Sequence, residues 1–419
     1  MSLPVGGHAP ARAFGMPAAA RNLAPLLAAL ALVIVGFLRL RGLAPFAPQQ
    51  TFGTVATGNL AWSDIISIYG RDTMAGHPFP YTTGHSFEYP VLTGLVFWLA
   101  GFAGYAGDAT PAFVANYVVL AAAACGLVLV VSRRPGANPW LLALSPALVL
   151  YTGLNWDVLA LFPGLAALLL FSGRRHDMSA TGLLALSVWL KFFAILWLPL
   201  VLIERARRGE WRQASRILGL FLVLSAAINA PFAILNRHEW GLFFTFNRDR
   251  PPEVNVWTLL RGLSLSTPTV NALSELGILA AVAILGSLQW RGRTDLTIPA
   301  AAALIAWFFF LNKVYSPQYF IWLVPFLALL STPFWLFILL SVADVLYYVA
   351  SFQILHLQFV LGGSPNASLT GWDFDHVLMP AMVFREAVFP LFIAWTVVVW
   401  LAPASLGRAS SWWRPPPAP

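Results

Sequence analysis

Apolar runs recur along almost the whole chain, and short polar segments separate them. A run of about twenty apolar residues is long enough to cross a membrane as a helix, and shorter runs form partial or buried helices. The pattern therefore predicts an all-α polytopic membrane protein with about 11–13 transmembrane or partial helices. The apolar runs cover positions 22–40, 90–105, 112–131, 140–150, 158–171, 181–203, 217–235, 270–288, 298–311, 319–330, 334–355 and 379–401.

Three of these runs are broken or too short. Runs 140–150 and 158–171 are separated by YTGLNWD, and Lys191 interrupts run 181–203. At 1.5 Å per residue, neither of the two short runs crosses a hydrocarbon core of about 30 Å. Broken helices are tolerated where the break is buried in protein or lines a cavity. We therefore expect Asn155 and Asp157 of the NWD motif to lie beside such a cavity.

Composition supports this class and excludes others. The chain is 59% hydrophobic and 10% charged, with a mean hydropathy of +0.73, whereas soluble domains carry about 25% charged residues. The spread of apolar runs excludes a soluble enzyme on a single anchor, and the strand-like alternation of a membrane β-barrel is absent. We predict an N-terminal tail over 1–21, one membrane domain over 22–402 and a basic, proline-rich tail over 403–419.

Basic residues predict the orientation of the chain. The net charge of +8 does not indicate nucleic-acid binding, because the arginines cluster at the ends of apolar runs, as the positive-inside rule expects. Both tails and the segments around 133, 174, 204–216 and 291–293 are then cytoplasmic. The long first loop over 41–89, NWD, the polar loop over 236–255 and NKVYSPQY share the outer face. Arg39 and Arg41 violate the rule, and run 90–105 upsets the parity unless it dips and returns.

The stretch from Trp62 to Gly94 is the best candidate for an active-site loop. It is long, aromatic-rich and carries several charged residues in a chain where charge is scarce, and long ordered loops are commonly functional. Asp64 is either a helix-start carboxylate or a general base whose pKa partial desolvation raises. Glu88 has the same two interpretations, with helix-dipole stabilisation as the structural one.

Charged residues elsewhere are candidates for binding. Lys191 lies inside an apolar run and either marks a functional site or pairs with Asp157. Lys313, in NKVYSPQY, either snorkels at a helix end or belongs to a polar site with Tyr315 and Gln318. Arg248 and Arg250 either bind phosphate or pair with Asp249 between them.

Metal and nucleotide chemistry have no sequence support. The histidines lack HxxxH or HxH spacing, so no zinc site is predicted. No P-loop, GxGxxG or GxSxG motif occurs. The single Cys125 excludes a disulfide within the chain. No cofactor is expected.

Five features in this order resemble the GT-C glycosyltransferases. They are an acidic residue in the first outer loop, an aromatic loop leading to EYPVLTG, an NWD break, a lysine in LKFFAILWLPL, and NKVYSPQY before a late span. More narrowly, they resemble family 87, the polyprenyl-phosphate mannosyltransferases of actinobacterial envelopes. The likeness covers residues 62–325. One departure is Ile65, which stands where many GT-C enzymes have a second carboxylate.

The resemblance implies transfer of a sugar from a polyprenyl-phosphate donor to a hydroxyl of a glycolipid or polysaccharide at the outer face of the plasma membrane. Mannose is favoured and arabinose possible. Asp64 matches the proposed base of the family, and Lys313 is the leading candidate for binding the donor phosphate. Further candidates for the phosphate are Lys191, Arg248 and Arg250. Candidates for binding sugar or acceptor are Trp62, His85, Glu88, Tyr89, Asn155, Asp157, Trp257, Tyr315 and Gln318.

Two other functions fit the same pattern. Broken helices can line a path in a lipid or solute transporter or flippase without chemistry. A structural subunit of an envelope complex would use none of these side chains chemically.

Overall fold

The computed structural model describes residues 18–46, 51–71, 76–82, 87–105, 108–173, 176–360 and 374–402. These ranges are helical almost throughout and contain no β-strand. The α-helices are α1 Ala18–Arg41, α2 Phe52–Gly58, α3 Asp64–Arg71, α4 Val91–Gly101, α5 Thr110–Ser132, α6 Pro139–Ala143, α7 Pro146–Tyr151, α8 Asp157–Gly173, α9 Asp177–Leu190, α10 Trp197–Arg207, α11 Trp211–Leu235, α12 Arg237–Asp249, α13 Val256–Leu259, α14 Thr267–Arg291, α15 Thr297–Leu311, α16 Phe320–Leu329, α17 Phe334–Val360 and α18 Met379–Thr396.

Six helical segments are long and apolar enough to cross a membrane. They are α1, α5, α11, α14, α17 and the segment Phe374–Leu401, in which two π-helical turns flank α18. Five shorter apolar helices accompany them, namely α4, α8, α9, α15 and the segment Pro317–Leu329. The prediction of an all-α polytopic membrane protein with eleven to thirteen full or partial helices is therefore confirmed for the described residues.

Short helices form the interior, and several long ones form the outside. Every residue of α16 is buried, and the segment Ala300–Ala306 of α15 has no exposed surface. By contrast, only 17% of the most apolar window of α11 is buried. A helix that is apolar all round and buried needs a protein neighbour on every side. The short helices therefore lie inside the bundle, where neighbouring helices screen the polar backbone groups at their ends from lipid.

The short run after the first loop is not a full span. Helix α4 has 11 residues, about 16 Å of helix, so it is too short for a hydrocarbon core of about 30 Å. The length of α4 agrees with the expectation that run 90–105 is a short helix that dips into the membrane and returns.

The short run 140–150 is divided into two helices by local capping. The side chain of Asn138 accepts a hydrogen bond from the Trp140 N–H (3.2 Å) at the start of α6. Ser145 accepts from the Ala147 N–H (3.3 Å) and starts α7. A proline follows each cap directly, and proline is favoured at the first helical position.

One expected loop is a helix. The polar segment 236–255 was predicted as a loop, but most of it forms α12, so the prediction is wrong there. The Asn236 side chain caps this helix by accepting from the Glu239 N–H (3.2 Å). The Trp240 indole N–H donates to Asn229 (3.0 Å). The cap and this contact on one face stabilise a helix whose mean composition is polar.

Arg39 has a structural partner on each of three segments. Its guanidinium donates to the Leu60 carbonyl (3.0 Å), the Tyr348 hydroxyl (3.0 Å) and the Leu150 carbonyl (3.1 Å). Hydrogen bonds from a charged donor are stronger than neutral ones. Arg39 therefore joins α1 to the first loop, α7 and α17.

Candidate functional site

Asp64 begins helix α3, and each of its carboxylate oxygens accepts one hydrogen bond. The Trp62 indole N–H donates to Oδ1 (2.7 Å) and the Tyr89 hydroxyl to Oδ2 (2.7 Å). The backbone N–H of Asp64 donates to the Leu154 carbonyl (2.7 Å), just before the NWD motif. The side chain is half-buried. Because an ionised carboxylate offers about four lone pairs, Asp64 can still accept a proton from a bound hydroxyl.

Tyr81 fixes the position of Tyr89. The Tyr81 hydroxyl lies against the carbonyls of Tyr89 (2.9 Å) and Pro90 (2.8 Å). It also approaches Gly94 so closely that a Cβ there would lie 2.4 Å from the hydroxyl oxygen. Burial and the Asp64 carboxylate raise the pKa of Tyr89 well above its ordinary value. Tyr89 therefore remains a neutral hydrogen-bond donor to Asp64 at physiological pH.

Lys191 lies on the other side of Tyr89. The break between α9 and the 3₁₀ segment Phe192–Leu196 gives Lys191 extended backbone (φ −154°, ψ 123°). Its ammonium lies 4.8 Å from the centroid of the Tyr89 ring and 2.7 Å from Asp157 Oδ1. The lysine side chain is 15% exposed and Asp157 is fully buried. The expected pairing of Lys191 with Asp157 is therefore present, and the ammonium also contacts the ring that holds Asp64.

The NWD turn positions Asp157, the ion-pair partner of Lys191. The side-chain oxygen of Asn155 accepts from the Asp157 N–H (2.9 Å) and so caps α8. Asp157 Oδ2 accepts from the Trp322 indole (2.9 Å). The Asn155 amide nitrogen is buried and has no hydrogen-bond partner among the described residues. We refer to four connected side chains as the Asp64 cluster: Asp64, Tyr89, Lys191 and Asp157.

Arg250 is a second cation near the Asp64 cluster. It forms a bidentate ion pair with Glu253 (2.8 and 2.5 Å) and is 28% exposed. Arg250 lies within electrostatic range of the Tyr89 and Tyr319 hydroxyls. Tyr319 lies within range of both Lys191 and Arg250. Lys191 and Arg250, which come from distant parts of the chain, therefore both lie near Tyr89 and Tyr319.

Lys313 and Arg248 are placed differently. The ammonium of Lys313 donates to the Arg248 carbonyl (2.7 Å), and the residue is only 7% exposed. Burial lowers the pKa of Lys313. The positive charge of Arg250 lowers it further, whereas the Asp249 carboxylate raises it. The Arg248 side chain is 68% exposed and pairs with Asp249. Lys313 thus joins the end of α12 to the NKVYSPQY segment, while the Arg248 side chain is exposed.

Two irregular segments form a clamp beside Arg250. We use this term for Arg250–Asn255 together with Asn312–Tyr315. The Glu253 N–H donates to the Lys313 carbonyl (2.8 Å), and the Tyr315 N–H donates to the Glu253 carbonyl (3.3 Å). The Asn255 side chain donates to the Asn312 carbonyl (2.8 Å). These bonds hold Arg250 in position relative to Tyr319.

Other predicted site residues lie apart from the Asp64 cluster or have structural contacts. Glu88 forms an ion pair with Arg71 (2.7 and 2.9 Å) on the surface. The Trp257 indole donates to a backbone carbonyl at the end of α15 (2.7 Å). Gln318 is buried. His85 lies outside the described residues.

A second charged cluster, centred on Arg385, was not predicted. The guanidinium carbon lies 3.8 Å from the ring centroids of both Tyr315 and Tyr347. Its terminal nitrogen donates to Glu386 (2.5 Å) and to the Val254 carbonyl (2.8 Å). Arg385 therefore stabilises the clamp through its contacts with Val254 and Tyr315. Val254 has a left-handed backbone (φ 47°), which is strained for a β-branched residue.

Another buried carboxylate, that of Asp344, lies in the region of Arg385. Asp344 of α17 accepts a hydrogen bond from the Tyr151 hydroxyl (2.8 Å) and is fully buried. Asp344, Arg385 and Glu386 all lie inside apolar runs of the sequence. Ionisable residues in such runs mark functional or structural polar centres by default, and that signal would have found all three.

Within the described ranges, no group of three or more His, Cys, Asp or Glu side chains is arranged to hold a metal ion. No protein-family model, curated protein or solved structure matches the chain.

Proposed function

We propose that this protein is an inverting glycosyltransferase that takes a sugar from a polyprenyl-phosphate donor, with Asp64 as the general base. One observation carries the proposal. The Asp64 carboxylate and the Lys191 ammonium contact the same side chain, Tyr89, the first at its hydroxyl and the second over its ring. A base and a cation thus lie against one aromatic residue. Displacement of a lipid phosphate uses both, because the base takes the proton of the attacking hydroxyl and the cation stabilises the charge on the leaving phosphate. The resemblance to GT-C enzymes points the same way.

The reaction balances with these groups alone. Asp64 removes the proton of the acceptor hydroxyl, and the oxygen attacks the anomeric carbon of the donor. The bond from that carbon to the phosphate oxygen breaks, and the lipid phosphate leaves with the electron pair. Attack opposite to the leaving group inverts the anomeric configuration. Fixed cations stabilise the negative charge as it develops on the phosphate.

Contacts in the structure favour Arg250 over Lys313 as a phosphate partner alongside Lys191, whose charge is shared with Asp157. Arg250 keeps part of its surface open, and its ion pair with Glu253 is not fully buried. Lys313 is more buried and already donates to a backbone carbonyl. We therefore assign Lys313 to holding the clamp and Arg250 to holding the donor.

The proposed site lies on the extracytoplasmic face of the plasma membrane. This placement follows from the positive-inside argument, which puts the clusters around Arg133 and Arg212 in the cytoplasm. Trp62 and Tyr89 border the carboxylate and offer aromatic faces to a sugar ring. The acceptor is a glycolipid or polysaccharide hydroxyl, and mannose is favoured over arabinose as the transferred sugar.

The direct experiment incubates the purified protein with a panel of polyprenyl-phosphate sugars and envelope glycolipids and identifies products by mass. We expect one donor to give a product that is heavier by one sugar. A flippase without chemistry would give no product with any donor and would instead move the lipid across liposomes. That result would overturn the proposal.

Arg250 and Arg248 form a matched pair for testing donor binding. We expect Arg250→Gln to raise the KM for the donor about 10- to 100-fold, because a hydrogen bond to a charged group contributes about 1.5–3 kcal/mol. Arg248→Gln removes the same charge two residues away, at an exposed position, and should change KM less than about 3-fold, as expected of an exposed ion pair. Steady-state kinetics with varied donor checks both. Equal effects of the two variants would contradict the assignment of Arg250.

A further inference from the structure

An apolar groove lies between helices α10, α11 and α14. Its volume is about 340 Å³, which is within the range of ligand pockets. The lining is almost wholly apolar and includes Leu202, Trp211, Ala214, Leu218 and Trp290, with Ser215 as a polar member. A long apolar ligand segment fits such a lining.

The groove lies at the ends of two long apolar helices. It uses the first two turns of α11 and the last turn of α14. Trp211 is 61% exposed and Trp290 is 49% exposed, and their ring centroids are 6.4 Å apart. Tryptophan is enriched where acyl chains meet headgroups. In a bilayer the groove therefore opens at headgroup depth, where lipid is the surrounding solvent.

Exposed arginines lie beside the two tryptophans of the groove. Positions 211, 214, 215 and 218 of α11 line it, and successive residues of an α-helix are about 100° apart. Arg212 therefore lies next to the lining face, beside Trp211, while Arg216 lies largely on the opposite side of α11. Arg291 directly follows Trp290, and Arg293 is two residues further on. All four arginines are exposed. None has a hydrogen bond or ion pair within the part of the chain that the structure describes.

Neighbouring arginines show that this lack of partners is selective. Arg205 pairs with Asp177 (2.7 Å), and Glu204 accepts from both Arg207 and Arg208. The carboxylates of this region are thus already engaged. Glu210, beside the groove, lies 3.7 Å from Arg205. The positive charge around the groove is left for an anion outside the protein.

We propose that the groove binds one anionic phospholipid, with an acyl chain against Trp211 and Trp290 and the phosphate against the arginines that follow them, Arg212 and Arg291. Basic pockets between membrane helices bind anionic headgroups in this way. Apolar burial of the chain adds affinity that a phosphate alone lacks. This site is independent of the transfer reaction.

Native mass spectrometry of the full-length protein in detergent tests the proposal with two lipids of equal chain length. Phosphatidylglycerol should bind more tightly than phosphatidylcholine. The double variant Arg212→Gln/Arg291→Gln should lose about 30-fold in affinity for phosphatidylglycerol, equivalent to about 1 kcal/mol per basic residue. Arg133→Gln/Arg134→Gln, which removes two exposed arginines outside the groove, should change it less than about 3-fold. Equal losses in both double variants would overturn the site.

A second measurement separates the groove from a diffuse basic surface. Ser215→Trp should fill the groove and abolish tight phosphatidylglycerol binding with all arginines present. Ala227→Trp, at an exposed position on the same helix, is the control and should have no effect. Glycerol phosphate without acyl chains should not bind. Retained lipid binding in Ser215→Trp, or binding of glycerol phosphate as tight as that of the lipid, would refute the proposal.

Discussion

Asp64→Asn should reduce sugar transfer by about 10²–10⁴-fold in kcat, the usual contribution of a general base. The amide has the shape of the carboxylate: its oxygen can still accept from Trp62, and its NH2 group can donate to the Tyr89 hydroxyl. It cannot take the proton of the attacking hydroxyl. Donor KM should change little, because the cations Lys191 and Arg250 remain in place. Kinetics with the donor identified in the product assay measures both constants.

Glu88→Gln is the matched control for this loss. Glu88 belongs to the same loop but pairs with Arg71 on the surface, and exposed ion pairs contribute only about 0–1 kcal/mol. The variant should therefore keep most of its activity. A Glu88→Gln enzyme as inactive as Asp64→Asn would move the base to Glu88, and an active Asp64→Asn enzyme would remove the proposed mechanism.

Arg385→Met should destabilise the protein by about 3–5 kcal/mol, because it leaves the buried Glu386 carboxylate without its partner. Arg385 is 1% exposed and Glu386 is 3% exposed. The substitution also removes the donor to Val254 and the cation between two tyrosine rings. Unfolding in mixed micelles, followed by circular dichroism, gives the change in free energy.

Two further variants identify the cause of that loss. Arg248→Met breaks an exposed ion pair and should lower the free energy of unfolding by no more than about 1 kcal/mol. The double variant Arg385→Met/Glu386→Leu buries no charge and should recover most of the stability, as replacement of a buried pair by apolar residues often does. A double variant as unstable as Arg385→Met would show that packing around Arg385, rather than its charge, is decisive.

The helices could be predicted from the sequence because membrane helices carry their signal locally, in the length of each apolar run. Breaks at Asn155–Asp157 and at Lys191 were also visible, since polar residues interrupt apolar runs there. The helix over Arg237–Asp249 was missed because its composition is polar and its stabilising contact, Trp240 to Asn229, comes from a neighbouring helix. Local pattern cannot reveal a contact made by folding.

The candidate site could be predicted in its residue types and in one pairing, that of Lys191 with Asp157. Only the fold shows that Tyr89 connects Asp64 to Lys191. Lys313 was the leading candidate for the phosphate in the sequence, and Arg250 was a further one. The structure separates them, because the Lys313 ammonium donates to the Arg248 carbonyl. Which cation is available depends on contacts between segments more than sixty residues apart.

Arg39 shows how counting basic residues can mislead an assignment of orientation. Its guanidinium is committed to Leu60, Leu150 and Tyr348, so the fold requires it at that place whichever compartment the helix end faces. Arg133 and Arg212 have no such commitment within the described ranges. Weighting each arginine by whether the folded chain already employs its charge would discard Arg39 as a topological marker, and of the two exceptions to the rule only Arg41 would remain.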